Sequence, residues 1–259
     1  MLAVIGGTGL NTLDAIDGFV RVRSEGVATR YGAEPVVVDV VECGAQTLLF
    51  TPRHGAGHVV PPHRINYRAN IEALRMLGAT RIVAMNAVGG IADNLPPGAL
   101  AVPDQLIDYT WGREATFFDG ESGDEGVVHI DFGEPYSEAL REQVLAAAAR
   151  ATDAVAGKLG HAVVADGVYG CTQGPRLETA AEIRRLRADG CTMVGMTGMP
   201  EAALAREAGL DYASIALSVN WAAGLEAAPI TLEEIYAVVA AAAPMLQATL
   251  RELCAGSQS

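Results

Sequence analysis

The sequence predicts an α/β fold in which a central mixed, largely parallel sheet lies between two layers of helices, in a three-layer α/β/α arrangement. Short runs rich in β-branched residues alternate with helical patterns along the chain. Half of the 259 residues are hydrophobic and 19% are charged, as in ordinary globular proteins. Strands that alternate with helices pair mainly in parallel and are covered on both faces. No repeat or Ser/Pro-rich linker interrupts the alternation, so we expect a single domain over residues 1–259.

The predicted elements follow one another along the chain. The strands are Leu2–Ile5, Val36–Val41, Thr47–Phe50, Arg81–Met85, Ala162–Val168, Thr192–Gly195 and Ala213–Val219. The helices are Arg64–Leu77, Ser137–Ala149, Thr179–Ala188, Pro200–Ala208 and Leu232–Leu250. Pro200 suits a first helical turn, whereas Gly78 and Gly209 stand where helices are expected to end.

The charge balance limits the classes of partner. The chain has 18 basic and 31 acidic side chains and a formal net charge of −13. Nucleic-acid backbones are held by clustered Lys and Arg, so we expect no nucleic-acid partner. A single phosphate can still bind where a few donors converge.

The cysteines and the apolar runs indicate a compartment. The four cysteines are scattered without a CxxC pair, which is typical of a reducing compartment rather than of a disulfide framework or a zinc site. The N-terminal segment lacks the basic region of a signal peptide. The longest apolar run, 235–246, is interrupted by Pro244 and is too short to cross a bilayer. We therefore expect a cytoplasmic protein without membrane association.

Small and polar residues follow several of the predicted strands. In a parallel sheet these strand ends lie at one edge, where ligands bind. The segments are Gly6–Gly9, Thr51–Gly55, Asn86–Gly90, Met196–Pro200 and Asn220–Gly224. Their hydroxyl, amide and cationic groups suit an anion together with a neutral polar ligand.

The first of these segments is a glycine turn. A dinucleotide fingerprint would need glycine at Thr12, and no Lys-Ser/Thr pair follows, so neither GxGxxG nor a P-loop is present. Backbone N–H groups of the turn, with the Thr8 hydroxyl, can cup an oxyanion. A plain strand-to-helix turn is the alternative.

The second segment contains Arg53 and His54, with His58 and His63 close behind. Glycines and prolines between the histidines prevent a helical ligand pair, so a metal site is not expected. We predict that Arg53 and His54 bind one phosphate, because guanidinium forms forked bonds to phosphate oxygens. His63 is interpreted as a helix-start residue, and the role of His58 stays open.

Two further segments offer anion donors. Asn86 and Ala87 are predicted to lead from a strand into a flexible turn, where the Ala87 N–H can bind an anion. Thr197 is predicted to cap the helix at Pro200, to bind phosphate, or to do both.

Together these motifs resemble the trimeric purine nucleoside phosphorylase and methylthioadenosine phosphorylase family. The matching segments, in the family's order, are Gly6-Gly-Thr-Gly-Leu10, Arg53-His-Gly55, Asn66-Tyr-Arg-Ala-Asn70, Asn86-Ala-Val-Gly-Gly90, Gly174-Pro-Arg176 and Gly195-Met-Thr-Gly-Met-Pro-Glu201. The resemblance implies a purine nucleoside phosphorylase-like fold and phosphorolysis of a purine nucleoside. It also implies a homotrimer with sites near subunit interfaces, and no cofactor or metal, with inorganic phosphate as a co-substrate.

The resemblance also assigns roles to residues. The implied phosphate site is Thr8, Arg53, His54, Ala87 and Thr197, with Asn86 beside it. Met196 is expected against the ribose, and the base near Leu177, Glu178, Asn220, Trp221 and Ala222. Asn220 and His54 are the implied catalytic residues, stabilising the leaving base and orienting phosphate. Relatives often carry phenylalanine at the position of Leu177.

The residues expected to face the edge of the purine base distinguish 6-aminopurines from 6-oxopurines. Family members that cleave 6-aminopurines have an aspartate at the position of Asn220, whereas an amide can donate to O6 or N7 of hypoxanthine. Glu178 would accept from N1–H, which 6-oxopurines carry and adenine lacks. The alternative for Glu178 is a carboxylate in the first turn of a helix.

The 5′ end of the sugar is expected against the last helix. Inosine-cleaving relatives have a histidine where this chain has Leu232, and Ile235 and Tyr236 lie one turn further. An apolar side chain packs well against a methylthio group, although a core stripe on the same helix is the alternative. His129 is expected to close this pocket from the neighbouring subunit.

An oxopurine edge with an apolar 5′ pocket predicts S-methyl-5′-thioinosine as the substrate. Within the same family the alternatives are a methylthioadenosine phosphorylase and a general inosine/guanosine phosphorylase. A nucleosidase would use water instead of phosphate, and a nucleoside-binding protein would release no base.

Overall fold

The computed structural model describes residues 1–120, 126–154 and 163–256. The strands are β1 (Leu2–Gly6), β2 (Phe19–Val27), β3 (Val36–Cys43), β4 (Gln46–Pro52), β5 (Arg81–Gly90), β6 (Leu100–Ala101), β7 (Gln105–Asp108), β8 (Val168–Cys171), β9 (Met193–Gly195) and β10 (Asp211–Trp221). The helices are α1 (Tyr67–Met76), α2 (Glu138–Ala154), α3 (Ala180–Ala188), α4 (Glu201–Glu207) and α5 (Leu232–Gly256), with a short 3₁₀ helix at Pro62–Arg64.

All ten strands belong to one mixed sheet. Its main path runs β2-β3-β4-β1-β5-β9-β8-β7, and β10 pairs with β5 and β6. Parallel pairing joins β4, β1, β5 and β10, and also joins β7, β8 and β9. The β2–β3–β4 meander and the β5–β9 and β6–β10 pairs are antiparallel. The predicted mixed, largely parallel sheet is therefore confirmed.

Two hydrophobic cores lie on opposite faces of this sheet. Successive β1 residues alternate between them: Leu2 and Val4 belong to one core, and Ala3 and Ile5 belong to the other. The first core also contains buried residues of α2 and α5, and the second contains residues of α1 and α4. Because strand side chains alternate between faces, a strand apolar at every position needs a layer of helices on each side. The three-layer arrangement is confirmed.

Several predicted boundaries were wrong. β2, β6 and β7 were missed. In β2, Val20 and Val22 alternate with arginines, but most of the strand is exposed and neither valine belongs to a core. β5 continues through Gly90 and β10 through Trp221, past their predicted ends. The predicted strand Ala162–Val168 is shifted to Val168–Cys171, and Ala162 lies outside the described residues.

The helix ends are partly as predicted. Gly78 and Gly209 follow α1 and α4 with φ of 87° and 71°, a conformation that glycine adopts without strain. Thr179 caps α3 through a capping box with Glu182. Pro200 is the N-cap of α4 rather than a residue of its first turn. None of the helices in the described ranges is long and apolar enough to cross a membrane.

Candidate active site

A cavity of about 380 Å³ lies at the carboxyl ends of β1, β4, β5 and β10, the edge where ligands bind in such sheets. Most of the residues singled out from the sequence line it. They are Thr8, Arg53, His54, Ala87, Leu177, Glu178, Met196, Thr197, Asn220, Ala222, Leu232, Ile235 and Tyr236. Asn86, Trp221 and His129 do not line it. The volume is in the range of small-molecule sites.

A gap in the sheet forms the floor of the cavity. β1 pairs with β5 as far as Ala84, and β9 pairs with it from Gly89 onward, while β10 pairs along the whole other edge. Residues 85–88 of β5 therefore have one edge without a neighbouring strand. Backbone groups two residues apart point to the same edge, so the N–H of Ala87 faces the same gap as the carbonyl of Met85. The prediction that Asn86–Gly90 is a turn was wrong, but a donor at Ala87 still faces the cavity.

Arg53 is held at the edge of this gap by a buried carboxylate. Its Nε donates to Oε2 of Glu201 at 2.7 Å, its Nη2 donates to Oε1 at 2.8 Å, and its Nη1 donates to the Met85 carbonyl at 2.8 Å. Burial disfavours the charged guanidinium, but the charge and hydrogen bonds of Glu201 more than offset this and raise the pKa of Arg53. Each terminal nitrogen keeps one N–H that none of the contacts among the described residues uses.

His54 is a neutral hydrogen-bond acceptor. Its Nδ1 lies 2.8 Å from the carbonyl of Val60. A carbonyl only accepts, so Nδ1 carries the proton and Nε2 is free to accept. Burial, and secondarily the nearby positive charge of Arg53, lowers the pKa of His54 to about 4. His54 can therefore accept a hydrogen bond from a phosphate hydroxyl, but it supplies no positive charge at neutral pH.

His58, whose role the sequence left open, also lines the cavity. Its ring centroid is 4.2 Å from that of His54. Its φ of 58° is unusual for a residue with a side chain. Burial, followed by the charge of Arg53, lowers the pKa of His58. His58 thus packs against His54 and fixes one side of its ring.

Thr197 is oriented by a chain of buried polar groups. Ser214 Oγ donates to Asn86 Oδ1 at 2.8 Å, and Asn86 Nδ2 donates to Thr197 Oγ1 at 2.8 Å. Because the Thr197 hydroxyl accepts from Asn86, its own proton can be donated to a ligand in the cavity. The predicted helix cap was wrong, since Thr197 lies before Pro200 and makes no cap hydrogen bond. Asn86, expected beside phosphate, lies behind Thr197 and positions it.

The segment that carries Met196 and Thr197 packs very closely on a buried tyrosine. A Cβ at Gly195 would lie 2.1 Å from the Tyr169 hydroxyl, and one at Gly198 would lie 3.1 Å from its ring. Only glycine permits the first approach. This contact fixes the position of the 195–198 segment, whose Met196 and Thr197 side chains line the cavity.

A β-bulge directs Asn220 into the cavity. The pairing register of β10 with β5 shifts between Ser218 and Asn220, and such a bulge re-aims the following side chain. Asn220 Nδ2 donates to the carbonyl of Trp221 at 2.7 Å. A carbonyl requires a donor, so nitrogen is the atom that faces it. One amide N–H and Oδ1 then remain for a ligand. The Trp221 ring, a candidate for stacking, does not line the cavity.

Glu178 lies on the wall near Asn220, with one carboxylate oxygen already paired. The hydroxyl of Thr172 donates to Glu178 Oε1 at 2.6 Å. Glu178 lies before Thr179, the N-cap of α3, and Glu182 is the acidic residue in the first turn of that helix. The alternative role for Glu178 as a first-turn carboxylate is therefore wrong. Its Oε2 is left to accept a hydrogen bond from a ligand.

The far end of the cavity is apolar and open. Leu177, Leu232 and Tyr236 are 44%, 70% and 53% exposed, although all three line it. Ile235 packs against the first core. Leu232 itself is therefore not a core residue of α5, contrary to the alternative. His129 is exposed and lies outside the cavity of its own chain.

Sequence reasoning missed the residues that act behind the wall. Glu201, Tyr212 and Ser214 are buried. Glu201 accepts from the wall residue Arg53, whereas Tyr212 and Ser214 reach the wall only through Glu201 and Asn86. The one available signal was Glu201, an acidic side chain inside an otherwise apolar run after Pro200. In the described ranges no cluster of His, Cys, Asp or Glu suits a metal ion, and the four cysteines are free.

Nearly the whole chain is similar to known proteins. The model of the Phosphorylase superfamily matches residues 2–255. A probable S-methyl-5′-thioinosine phosphorylase of Xanthomonas campestris pv. campestris is 53% identical, over 98% of this chain and 97% of the relative. A 6-oxopurine nucleoside phosphorylase of Pyrococcus furiosus is 43% identical, over 90% of this chain and 84% of the relative.

A solved structure is also similar. Methylthioadenosine phosphorylase from Schistosoma mansoni, in complex with adenine, superposes with a TM-score of 0.89 at 33% sequence identity. The match covers 100% of this chain and 92% of that chain.

Proposed function

This chain belongs to the Phosphorylase superfamily, and from that premise we propose that it catalyses phosphorolysis of S-methyl-5′-thioinosine to hypoxanthine and 5-methylthioribose 1-phosphate. It is a pentosyltransferase of the nucleoside phosphorylase type, with inorganic phosphate as co-substrate. The observation that carries the proposal is one cavity whose wall includes both the Arg53–His54–Thr197 group and the Glu178–Asn220 pair.

Phosphate supplies the nucleophile in this reaction, so no activated serine or cysteine is required. One of its oxygens attacks the anomeric carbon as the bond to the base breaks, through an oxocarbenium-like transition state. Arg53 and the Ala87 N–H would bind the phosphate, and Thr197 would donate to it. His54 Nε2 would accept a hydrogen bond from its hydroxyl. Positioning and electrostatic stabilisation would then supply most of the rate.

The base edge supports an oxopurine. Glu178 Oε2 is left to accept N1–H of hypoxanthine because Thr172 holds Oε1. The remaining N–H of Asn220 can donate to O6 or N7, where negative charge develops as the base leaves. Adenine lacks N1–H and would leave the Glu178 oxygen unpaired. Glu178 is half-buried in the free protein. Once the base covers it, an unpaired oxygen would cost about 1–3 kcal/mol, roughly 5- to 150-fold in selectivity.

A homotrimer is part of the proposal. The exposed apolar side chains of Leu232 and Tyr236 at the sugar end are the supporting observation, because a 5′-methylthio group is stabilised only where water is excluded. His129 of a neighbouring subunit would cover this end. The cytoplasmic location stays a prediction.

The deciding experiment measures purine release from methylthioinosine, methylthioadenosine and inosine, each with and without phosphate. We expect phosphate-dependent release, fastest from methylthioinosine. Release without phosphate would indicate a nucleosidase, and faster release of adenine would contradict the base-edge argument. Equal rates for inosine would favour a general 6-oxopurine phosphorylase, the second candidate, which is supported by the open 5′ end and by the similarity to the Pyrococcus furiosus protein.

A further inference from the structure

Glu201 lies behind the phosphate end of the cavity and is not on its wall. It is 1% exposed, and both of its carboxylate oxygens accept from Arg53. Tyr212 also donates its hydroxyl to Oε1, at 2.8 Å. The first residue of α4 therefore holds the guanidinium of Arg53 from the side away from the ligand.

Stability alone is a weak reason for this arrangement. Taking two charges out of water costs several kcal/mol, and replacing such a pair by apolar residues is often neutral or stabilising. Glu201 and Arg53 are both buried beside the second core, whose members are apolar except for tyrosines such as Tyr212. A buried ion pair at the edge of a ligand cavity instead suits a role in fixing the orientation of the guanidinium.

Three of the five N–H groups of the Arg53 guanidinium are held by protein acceptors. Two go to Glu201 and one to the Met85 carbonyl at the sheet gap. With the plane of the guanidinium held from two directions, the remaining N–H of Nη1 and of Nη2 have fixed directions. Forked recognition of an oxyanion needs two such donors in one plane.

We propose that Glu201 is a positioning residue that, with Tyr212, aims the free N–H groups of Arg53 at inorganic phosphate. The inference rests on the proposed function only in taking phosphate as the ligand of the Arg53 end. Glu201 contacts neither phosphate nor nucleoside. It also balances the charge of Arg53, so the phosphate is held by directed hydrogen bonds rather than by net positive charge.

The first test is Glu201→Gln. A carboxamide has only one acceptor oxygen and places an NH₂ group against the guanidinium, so the guanidinium loses one of its two anchors and turns. We expect the KM for phosphate to rise about 10- to 100-fold, as for a lost hydrogen bond to a charged group. The KM for the nucleoside should stay within about twofold.

A purely electrostatic role and a positioning role of Glu201 predict opposite changes in the KM for phosphate. If Glu201 only damped the positive charge of Arg53, its neutralisation would lower the KM for phosphate. A lower or unchanged KM for phosphate in a folded Glu201→Gln protein would overturn the proposal. An equal rise in both KM values would also overturn it, because that result indicates general disruption of the site.

The second variant, Tyr212→Phe, is milder and keeps both charges. It removes one hydrogen bond to Glu201 Oε1, and we expect the KM for phosphate alone to rise about 2- to 10-fold. Tyr136→Phe is the matched control, because Tyr136 is buried, stacks on Tyr212 with a centroid separation of 6.0 Å, and has a hydroxyl without a hydrogen-bond partner among the described residues. If Glu201→Gln does not fold, equal KM values in Tyr212→Phe and Tyr136→Phe would overturn the proposal.

A binding measurement separates this proposal from the proposed function. Inorganic phosphate alone is titrated calorimetrically into the wild type and the variants, without any nucleoside. We expect weaker phosphate binding in Glu201→Gln and in Tyr212→Phe even if the wild type cleaves a different nucleoside from the one proposed. Phosphate binding by the wild type with unchanged affinity in both variants would refute the positioning role and leave the proposed reaction intact.

Discussion

The two ends of the cavity are built differently. At the phosphate end, Arg53, His54 and Thr197 are 3%, 7% and 7% exposed, and each is held by hydrogen bonds from its own chain. At the sugar end, Leu232 and Tyr236 are 70% and 53% exposed and make no comparable contacts among the described residues. On the proposed function, the phosphate end would be complete in one chain, whereas the sugar end would require a cover.

The difference follows from the chemistry of each end. Oxyanion recognition depends on donors with fixed directions, and burial within hydrogen-bonded networks fixes them. An apolar 5′ substituent needs only exclusion of water, which a second surface can provide. Substitutions at the phosphate end should therefore have large and specific effects, and those at the sugar end should have small ones.

The largest effect is expected for Thr197→Val, which preserves shape and removes the hydroxyl proposed to donate to phosphate. We expect kcat/KM for phosphate to fall about 10- to 100-fold, as for a hydrogen bond to a charged group. The KM for the nucleoside should change by less than about twofold. Initial rates at varied phosphate concentration measure both quantities.

Ser218→Ala is the matched control for that variant. Ser218 is a fully buried hydroxyl on β10 that donates to the carbonyl of Leu95, away from the cavity wall. An equal fall in kcat/KM for phosphate in the two variants would show that loss of any buried hydroxyl has this effect, and would contradict a specific role for Thr197.

A somewhat smaller effect is expected for Asn220→Asp, at the base edge. The carboxylate cannot donate to the Trp221 carbonyl, now 2.7 Å from Nδ2, and it presents an acceptor to O6 of hypoxanthine. The ratio of kcat/KM for methylthioinosine to that for methylthioadenosine should fall about 5- to 100-fold. Asn94→Asp, which adds the same charge at an exposed turn, should leave the ratio unchanged. An unmoved ratio in Asn220→Asp would refute edge recognition.

A modest effect is expected for Leu232→His at the open end. An imidazole can pair with a 5′-hydroxyl, so kcat/KM for inosine relative to methylthioinosine should rise about 2- to 10-fold. Val20→His, an exposed apolar position on β2 outside the cavity wall, is the control. A change of 100-fold or more would mean that this end is as rigid as the phosphate end.

The smallest effect concerns pH and the buried histidine. The pKa of His54 is lowered to about 4 in the folded protein, from an unfolded value of 6.5. The unfolded chain therefore binds a proton more readily, and the free energy of unfolding should decrease as pH falls from about 6.5 to about 4. His54→Gln should show a shallower decrease of Tm over this window. His129→Gln, at an exposed position, should follow the wild type; parallel curves for all three proteins would contradict the burial argument.

Local sequence patterns were sufficient for the layers of the fold and for most of the cavity wall. Alternating strands and helices predicted the mixed sheet, and the carboxyl ends of strands carried Thr8, Arg53 and Thr197. The predicted strand ends fell too early at Asn86 and Asn220, which lie inside β5 and β10. Both strands run past their apolar segments because they pair with each other over almost their whole length, and no local propensity encodes such a partner.

The amino-acid sequence by itself determined the period of the strands and helices and the kinds of side chain at their ends, because these depend on neighbouring residues. Only the tertiary structure decided which groups orient them. Arg53 and Glu201 are 148 positions apart, and Asn86 and Thr197 are 111 apart. Tertiary packing likewise buried one end of the cavity and left the other open. Directed hydrogen bonds depend on distances between strands and helices that are remote in sequence, and these distances exist only once the sheet has assembled.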